Sequence, residues 1–306
     1  MNEERFKIFY IPKRKGYRKI VTYKSSDTEL RIYHQKVNTL LYRRVLLSKF
    51  AKAFIKNRSI IKNAKTHMYN DIFLSFDIKD FFQSINHNWL IEKLYYELNL
   101  NHKRVVSKAD CASIVNSCSV SQKGLAVGLI PSPFLANIYL KDFDNILYGR
   151  LKILGLNNII YTRYADDLTI SYKHTEPIHT DKIRCIVSDL LIKFGLKLNK
   201  DKTRIINLNN SNHVKITGLN IFKSENDFRK ISVGRKRKDD LYKLATGLAE
   251  KKSSERQLYE IRRVKGLQSF VLSVEGEKYE QCYSSKMISI VNNLGYSSLK
   301  ELIDSL

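Results

Sequence analysis

The sequence predicts an α+β fold, in which a mixed strand and helix core is followed by a mainly helical C-terminal unit. Short β-branched and aromatic runs alternate with helix-periodic segments between residues 72 and 172. The chain beyond about Phe222 is basic and carries helical spacing. Only 12 Gly and four Pro occur in 306 residues, which excludes a collagen-like or linker-dominated polymer. With 43% hydrophobic residues, the chain is long enough to bury a substantial core in roughly two or three units.

From the N-terminus, Ile11-Pro12-Lys13-Arg14-Lys15-Gly16-Tyr17-Arg18-Lys19-Ile20-Val21 reads as a basic loop running into a short strand, with Gly16 allowing the turn. Between Leu30 and Phe54 the apolar residues Leu40, Leu41, Val45, Leu46, Phe50 and Phe54 fall at helical spacing, so one or two helices are expected. Ile72-Phe73-Leu74-Ser75-Phe76 is a short apolar run ending at Asp77, the pattern of a buried strand that delivers a carboxylate at its end. After Gly128, Pro131-Ser132-Pro133 reads as a helix start with Ser132 as N-cap and Pro133 at the first helical position. Leu135, Tyr139, Phe143, Ile146, Leu147 and Leu151 then recur at three- and four-residue steps and predict one long amphipathic helix. Ile159 to Tyr164 and Leu168 to Tyr172 follow as two strand-like runs, which makes a β-hairpin with Asp166 and Asp167 at its tip. The basic C-terminal part is expected to be helical to a last helix near Leu306.

Charge is large and unevenly placed. The chain holds 54 Lys plus Arg against 30 Asp plus Glu, a formal +24. Residues 1–70 alone carry 18 basic residues and only four acids, and Arg235 to Lys265 carries 11 against five, opening with Arg235-Lys236-Arg237-Lys238. Two basic regions therefore flank a middle whose acids are clustered. That distribution suits a protein gripping a nucleic acid from two sides, with metal ions at its centre.

Several other classes are disfavoured. Cys111, Cys118, Cys185 and Cys282 form no CxxC pair and no metal spacing with the seven histidines, so neither a zinc site nor a disulfide framework is expected. Met-Asn-Glu-Glu-Arg-Phe-Lys lacks a signal-peptide apolar region, and the uncharged run Gly124 to Leu140 is interrupted by Pro131, Ser132, Pro133 and Asn137. A soluble, cytoplasmic protein with no membrane partner is expected.

The acids carry the chemistry. Adjacent aspartates at a hairpin tip repel one another unless cations sit there, and alone they are weak evidence of a site. Asp77 ends its own apolar strand 89 residues before Asp166, and adjacent strands would bring the three carboxylates together. Shared carboxylates from different strands are what two divalent ions about 4 Å apart need. Mg²⁺ suits such hard oxygen ligands while keeping substrate phosphates and water in its shell.

Phe76-Asp77-Ile78-Lys79-Asp80-Phe81-Phe82 and Tyr161-Thr162-Arg163-Tyr164-Ala165-Asp166-Asp167 closely resemble the A and C motifs of reverse transcriptases. Gly195 to Thr203 looks like the following motif D, and Ile11 to Arg18 looks like the nucleotide-gripping fingers strand. Asn63-Ala64-Lys65-Thr66-His67 and Ile216-Thr217-Gly218-Leu219 fit two signatures of the bacterial retron group, and the compact length leaves no room for a further nuclease domain. The resemblance implies a right-hand polymerase fold: fingers at 1–70 and 88–120, a catalytic palm with an antiparallel sheet and helices at 71–87 and 121–222, and an RNA-binding helical thumb at 223–306. It implies an RNA-directed DNA polymerase using deoxynucleoside triphosphates and two Mg²⁺ per active site. Retron enzymes copy part of a cognate noncoding RNA from a guanosine 2′-hydroxyl into branched multicopy single-stranded DNA (msDNA), and act against phage with an effector (toxin) protein from the same locus.

Carried over residue by residue, the resemblance makes Asp77, Asp166 and Asp167 catalytic metal ligands, assisted by the backbone carbonyl of Ile78. Lys13, Arg14 and Arg18 would clamp the triphosphate, since forked guanidinium donors suit phosphate oxygens. Phe82 would stack against the sugar and exclude a ribose 2′-hydroxyl, Lys202 would neutralise or protonate the departing pyrophosphate, and Gly128 would let the backbone approach the base pair. Asn63, His67, Thr217, Gly218 and Arg235, Lys236, Arg237 and Lys238 are the candidate nucleic-acid contacts. The sequence departs from the usual Leu-Pro-Gln-Gly of motif B, with Val127 in place of Gln, which removes a polar contact to the nucleotide. The competing readings are another defence-associated or group II intron-like reverse transcriptase, and a non-catalytic RNA-binding scaffold. Intact Asp77, Asp166 and Asp167 argue against the scaffold.

Overall fold

The basic N-terminal stretch folds as an antiparallel hairpin, β1 (Phe6–Pro12) and β2 (Tyr17–Tyr23), in the computed structural model, which describes residues 6–13, 16–120, 123–174, 179–224 and 226–306. Arg14 lies outside the described residues. The chain packs as two compact units, Met1–Ser59 with Asn70–Asn207 and Ile60–Tyr69 with Leu208–Leu306. Among the described residues, no helix is long and apolar enough to cross a membrane.

In the first unit, α1 (Thr28–Arg44) starts where the Asp27 carboxylate accepts the Leu30 N–H. It is the only helix in the 30–54 stretch, for a physical reason. Beyond Val45 the backbone is taken up by the central sheet: Arg163 N donates to Phe50 O (2.8 Å) and Lys52 N donates to Arg163 O (2.7 Å). Of the residues at helical spacing beyond α1, Val45 and Phe50 are buried without a helix, whereas Leu46 and Phe54 are exposed.

α2 (Ile60–His67) packs with the second unit, and the chain then returns to the first with β3 (Ile72–Asp77). Next come α3 (Phe81–Ser84), α4 (His87–Asn99), α5 (Lys108–Ser117), α6 (Ser132–Tyr139), α7 (Lys141–Lys152), β4 (Ile160–Tyr164), β5 (Asp167–Tyr172), α8 (Thr180–Lys193) and β6 (Arg204–Asn207). The expected long helix is two helices, broken at Leu140. Ser132 is not the N-cap: Pro131 takes that place, and Ser132 is the first helical residue, fully buried with its hydroxyl lacking a hydrogen-bond partner.

The central sheet has the order β4-β5-β3-β6, every pair antiparallel. Phe73, Leu74 and Phe76 of β3 and Leu168, Thr169, Ile170, Ser171 and Tyr172 of β5 are all buried, so both faces of the two middle strands are covered. That is why β3 reads as a continuous apolar run instead of an alternating one.

The second unit holds a sheet, β7 (His213–Ile216), β8 (Leu219–Lys223) and β9 (Arg229–Ser232), in that order and antiparallel; the end of β8 and all of β9 fall beyond Phe222, where helix is expected from sequence. Thr217 and Gly218 form its two-residue turn with φ of 45° and 86°, the signs of a type I′ hairpin. Four helices complete the unit: α9 (Arg235–Ala249), α10 (Leu258–Glu275), α11 (Ser285–Asn293) and α12 (Leu299–Asp304). Glu275 fastens the junction of sheet and helix by accepting from Ser232 Oγ (2.7 Å), Val233 N (2.9 Å) and Lys238 Nζ (3.0 Å).

The first hairpin is tied to the loop before α6 at one close approach. Val21 N donates to Val127 O (2.9 Å), and Gly128 sits at φ +115° where a Cβ would lie 2.2 Å from the Val21 carbonyl oxygen. Backbone cannot yield there as a flexible side chain would. Gly128→Ala is expected to cost about 2 kcal/mol or more in unfolding free energy, measured by denaturant titration; a change within error would mean that the approach is looser.

Candidate active site

The end of β3 meets the start of β5. Asp77 stands directly opposite Asp167, and Tyr164 pairs with Asp167 across the neighbouring hairpin. Ala165 and Asp166 alone form the turn, so the two aspartates divide: Asp166 sits in the turn and Asp167 begins β5. Ala165 adopts φ +59°, uncommon for a residue with a Cβ. Ile78 N donates to Asp166 O (3.0 Å), closing the gap between the two strand ends.

The 197–199 segment closes the other side. Asn199 N donates to Asp77 O (2.8 Å), and Lys79 N donates to Lys197 O (2.8 Å). Side chains follow suit: Lys202 Nζ reaches Asp77 Oδ1 at 2.8 Å, and Asn199 Nδ2 donates to Asp77 Oδ2 at 3.1 Å. Asn199 was not singled out from sequence, where it is one more polar loop residue. The Asp77 hydrogen bond, foremost, raises the Lys202 pKa and keeps that side chain a cation.

Three carboxylates at one point strain their own ionisation. Partial burial first, then Asp77, raises the Asp166 pKa, with Lys202 and Arg18 opposing. Burial, then Asp166 and Asp77, pushes the Asp167 carboxyl up to about 6, although its edge is open to solvent. Among the described residues no three His, Cys, Asp or Glu side chains stand in ready-made coordination geometry, and Asp77 is engaged by Lys202 and Asn199. The donor set is nonetheless all hard carboxylate oxygen, with more negative charge than its neighbours neutralise. Divalent cations that prefer oxygen fit it.

The remaining candidate residues lie on other parts of the first unit. Arg18, exposed on β2, is close enough to act on the Asp166 charge; Lys13 is exposed in the hairpin loop. Phe82 is half-buried, with its ring edge-to-face with Phe81 at 5.4 Å and its carbonyl accepting from Leu125 N (2.7 Å). Ile78 is buried at the strand end. On the far side of the hairpin, sequence reasoning missed a fully buried pair, Arg163 and Asp144 (2.8 Å). Its signal was a charged residue within the strand-like run Ile159 to Tyr164.

The residues marked for nucleic acid in the second unit are placed differently from expectation. Asn63 and His67 are fully buried, and Asn63 Nδ2 reaches Thr217 Oγ1 at 3.5 Å, so these two signatures brace one another. Arg237 donates to Gly218 O (2.6 Å) and lies over the Phe270 ring at 5.6 Å. Lys238 is buried and paired with Glu275 at 3.0 Å, so it faces inward and is not a surface phosphate contact. Arg235, paired with Asp239 (2.8 Å), and Lys236 remain exposed.

Comparison with known proteins agrees with this geometry. The family model for reverse transcriptase (RNA-dependent DNA polymerase) matches residues 11–221. The chain is similar to the Retron Ec86 reverse transcriptase of Escherichia coli, 28% identical over 92% of this chain and 81% of that protein. It is also similar to the Retron Ec83 reverse transcriptase of Escherichia coli, 25% identical over 94% of this chain and 89% of the relative. In fold it is similar to apo telomerase from Candida tropicalis, with a TM-score of 0.54 at 14% identity, over 99% of this chain and 64% of that one.

The Asp167 shift gives a stability test. Its folded-state pKa lies above the ordinary 3.8, so the folded protein binds the extra proton between about 4 and 6. Stability should fall as pH rises through that window, because the unfolded chain binds fewer protons there. In metal-free protein, Asp167→Asn is expected to flatten this part of the pH–stability curve. An identical slope in both proteins would contradict the shift.

Proposed function

We propose a retron-specific cycle for this chain from one premise: it belongs to the reverse transcriptase family and is an RNA-directed DNA polymerase of the retron type. In this reading it copies part of a cognate noncoding RNA from deoxynucleoside triphosphates. Synthesis starts at a guanosine 2′-hydroxyl and leaves branched msDNA, and the product serves anti-phage defence with an effector from the same locus, in the cytoplasm. The observation that carries the reading is the cross-strand register setting Asp77 opposite Asp167 with Asp166 in the adjoining turn.

Reverse transcriptases use divalent metal ions, and we assign two Mg²⁺ to Asp77, Asp166, Asp167 and the Ile78 carbonyl. When bound, they lower the pKa of the priming hydroxyl and stabilise charge on the leaving pyrophosphate. The chain's own groups do the rest. Arg18 and Lys13, with Arg14, supply donors for the triphosphate. Lys202, a cation already drawn towards the carboxylates, offsets negative charge as the pyrophosphate departs. Phe82 stacks against the sugar and excludes a ribose 2′-hydroxyl, and Gly128 keeps the loop before α6 close to β2. The fingers, palm and thumb borders keep their expected residues in this reading. Arg235 and Lys236 of the thumb are the outward charges for RNA phosphate, while Asn63 and His67 of the fingers, Thr217 and Gly218 of the palm, and Arg237 and Lys238 of the thumb shape the surface that presents them.

Protein purified with its own nucleic acid should yield one DNA joined to one RNA, and Asp166→Asn should yield RNA alone, with primer extension lowered at least ~10³-fold. Homopolymer synthesis without a dedicated RNA would favour another reverse transcriptase type, and near-normal extension by Asp166→Asn would sink the site assignment. Phe82→Ala and Phe82→Val should raise ribonucleotide relative to deoxynucleotide incorporation in competition assays; an unchanged ratio in both would make Phe82 a core residue only.

A further inference from the structure

Arg163 is the largest side chain wholly buried among the described residues, and it stands two positions before the turn that carries Asp166. A buried guanidinium is costly unless every donor is matched. Here the match is two-pronged: Nε donates to Asp144 Oδ1 and Nη2 to Asp144 Oδ2, each at 2.8 Å. Tyr161 Oη donates to Asp144 Oδ1 (2.7 Å), and Asn137, which accepts from Arg163 Nη1 (2.9 Å), is itself fixed by donating to Ala53 O (3.0 Å). Burial pulls the Arg163 pKa down, but the Asp144 carboxylate outweighs it and keeps the guanidinium charged.

Joining β4 to α7 needs no ion pair, since apolar side chains of similar volume pack as well or better. What an apolar side chain cannot do is the remaining bond, from Arg163 Nη1 to the Ala165 carbonyl at 3.3 Å. That carbonyl belongs to the residue at φ +59°. The next carbonyl, of Asp166 itself, accepts from Ile78 N at 3.0 Å. Asp166 thus lies between two peptide planes, each held at its oxygen by a group outside the turn. Released from Arg163, Ala165 would relax from the left-handed region and rotate the peptide that orients Asp166.

We propose that Arg163, itself held by Asp144, is a positioning residue: it locks the Ala165–Asp166 peptide and so aims the Asp166 carboxylate at Asp77 and Asp167. The inference rests on the reading of Asp166 as catalytic. Arg163 is wholly buried, so it acts on rate by way of geometry.

The test uses Arg163→Lys in the full chain. Lysine keeps the charge opposite Asp144, but its single ammonium cannot also span Asn137 and the Ala165 carbonyl. The expected result is a kcat lower by on the order of 10²-fold with KM for deoxynucleotide and affinity for RNA little changed. Ala165→Gly added to that variant should recover at least ~10-fold in kcat, because glycine holds a positive φ without steric cost. Ala165→Gly alone is the reference. Faster exchange of the Ile78 amide in Arg163→Lys, reversed in the double variant, should accompany the recovery. Should Arg163→Lys fail to fold, Asp144→Asn, which keeps shape and one acceptor oxygen, carries the same comparison with and without Ala165→Gly. A lowered melting temperature with no recovery of kcat by Ala165→Gly, or a kcat like that of the parent protein, would overturn the positioning role. Activity retained by Asp166→Asn would overturn the catalytic reading and this inference with it, whereas an inactive Asp166→Asn with no glycine rescue overturns the inference alone.

Discussion

Two carboxylates placed directly opposite across an antiparallel pair repel each other, and the Asp77–Asp167 register forces that arrangement on the sheet. Asp166 adds a third charge one residue away. The fold tolerates the repulsion because the strands that impose it are buried on both faces and cannot slip: moving β3 by one residue would turn its whole apolar set over. What can respond is ionisation and counter-charge. The Asp166 and Asp167 pKa values rise, and Lys202 and Asn199 bind Asp77. A cluster with this stored repulsion gains stability from any small cation that fits it, which is the state a metal-dependent polymerase needs before substrate arrives.

Around that cluster the first unit is arranged to hold backbone more firmly than side chains. Asp77 is held at its carbonyl by Asn199 N, Asp166 at its carbonyl by Ile78 N, and Ala165 at its carbonyl by Arg163. On the other side, β2 is fixed to the loop before α6 by the Val21–Val127 hydrogen bond and by Tyr23, whose hydroxyl accepts from Ile130 N (3.0 Å). Arg18 projects from this anchored hairpin, so its guanidinium is set on a rigid support instead of a loose loop. Positions held this way need no reorganisation during the reaction, and preorganised charge is what lowers a barrier most.

The parts legible in the sequence were those where local pattern and tertiary role coincide. β3 was visible because a doubly covered strand is an uninterrupted apolar run, and the β4–β5 hairpin because two β-rich runs flank a polar pair. The family resemblance then named the three aspartates. The parts that were not legible depend on partners far along the chain. Arg163 and Asp144 lie 19 residues apart, and each reads alone as a surface charge. Lys238 looks like its neighbours Arg235 and Lys236 until Glu275, 37 residues on, takes its ammonium inward. Phe50 and Phe54 fall at helical spacing although no helix covers them: Phe50 is buried where its backbone pairs with Arg163, and Phe54 is exposed. The β7–β9 sheet was hidden by strands of only four or five residues, too short for alternation to stand out.

The account turns on whether Asp77, Asp166 and Asp167 form one cation-seeking cluster. The most direct measurement is thermal unfolding of the nucleic-acid-free protein as Mg²⁺ is titrated in, with ionic strength held constant. Binding to the folded state alone should raise the unfolding temperature steadily with the logarithm of Mg²⁺ concentration above the dissociation constant, a stabilisation of about 2.7 kcal/mol once Mg²⁺ is a hundredfold above it. Asp166→Asn should lose most of that gain. An unfolding temperature that does not move with Mg²⁺, or that moves equally in Asp166→Asn, would contradict it.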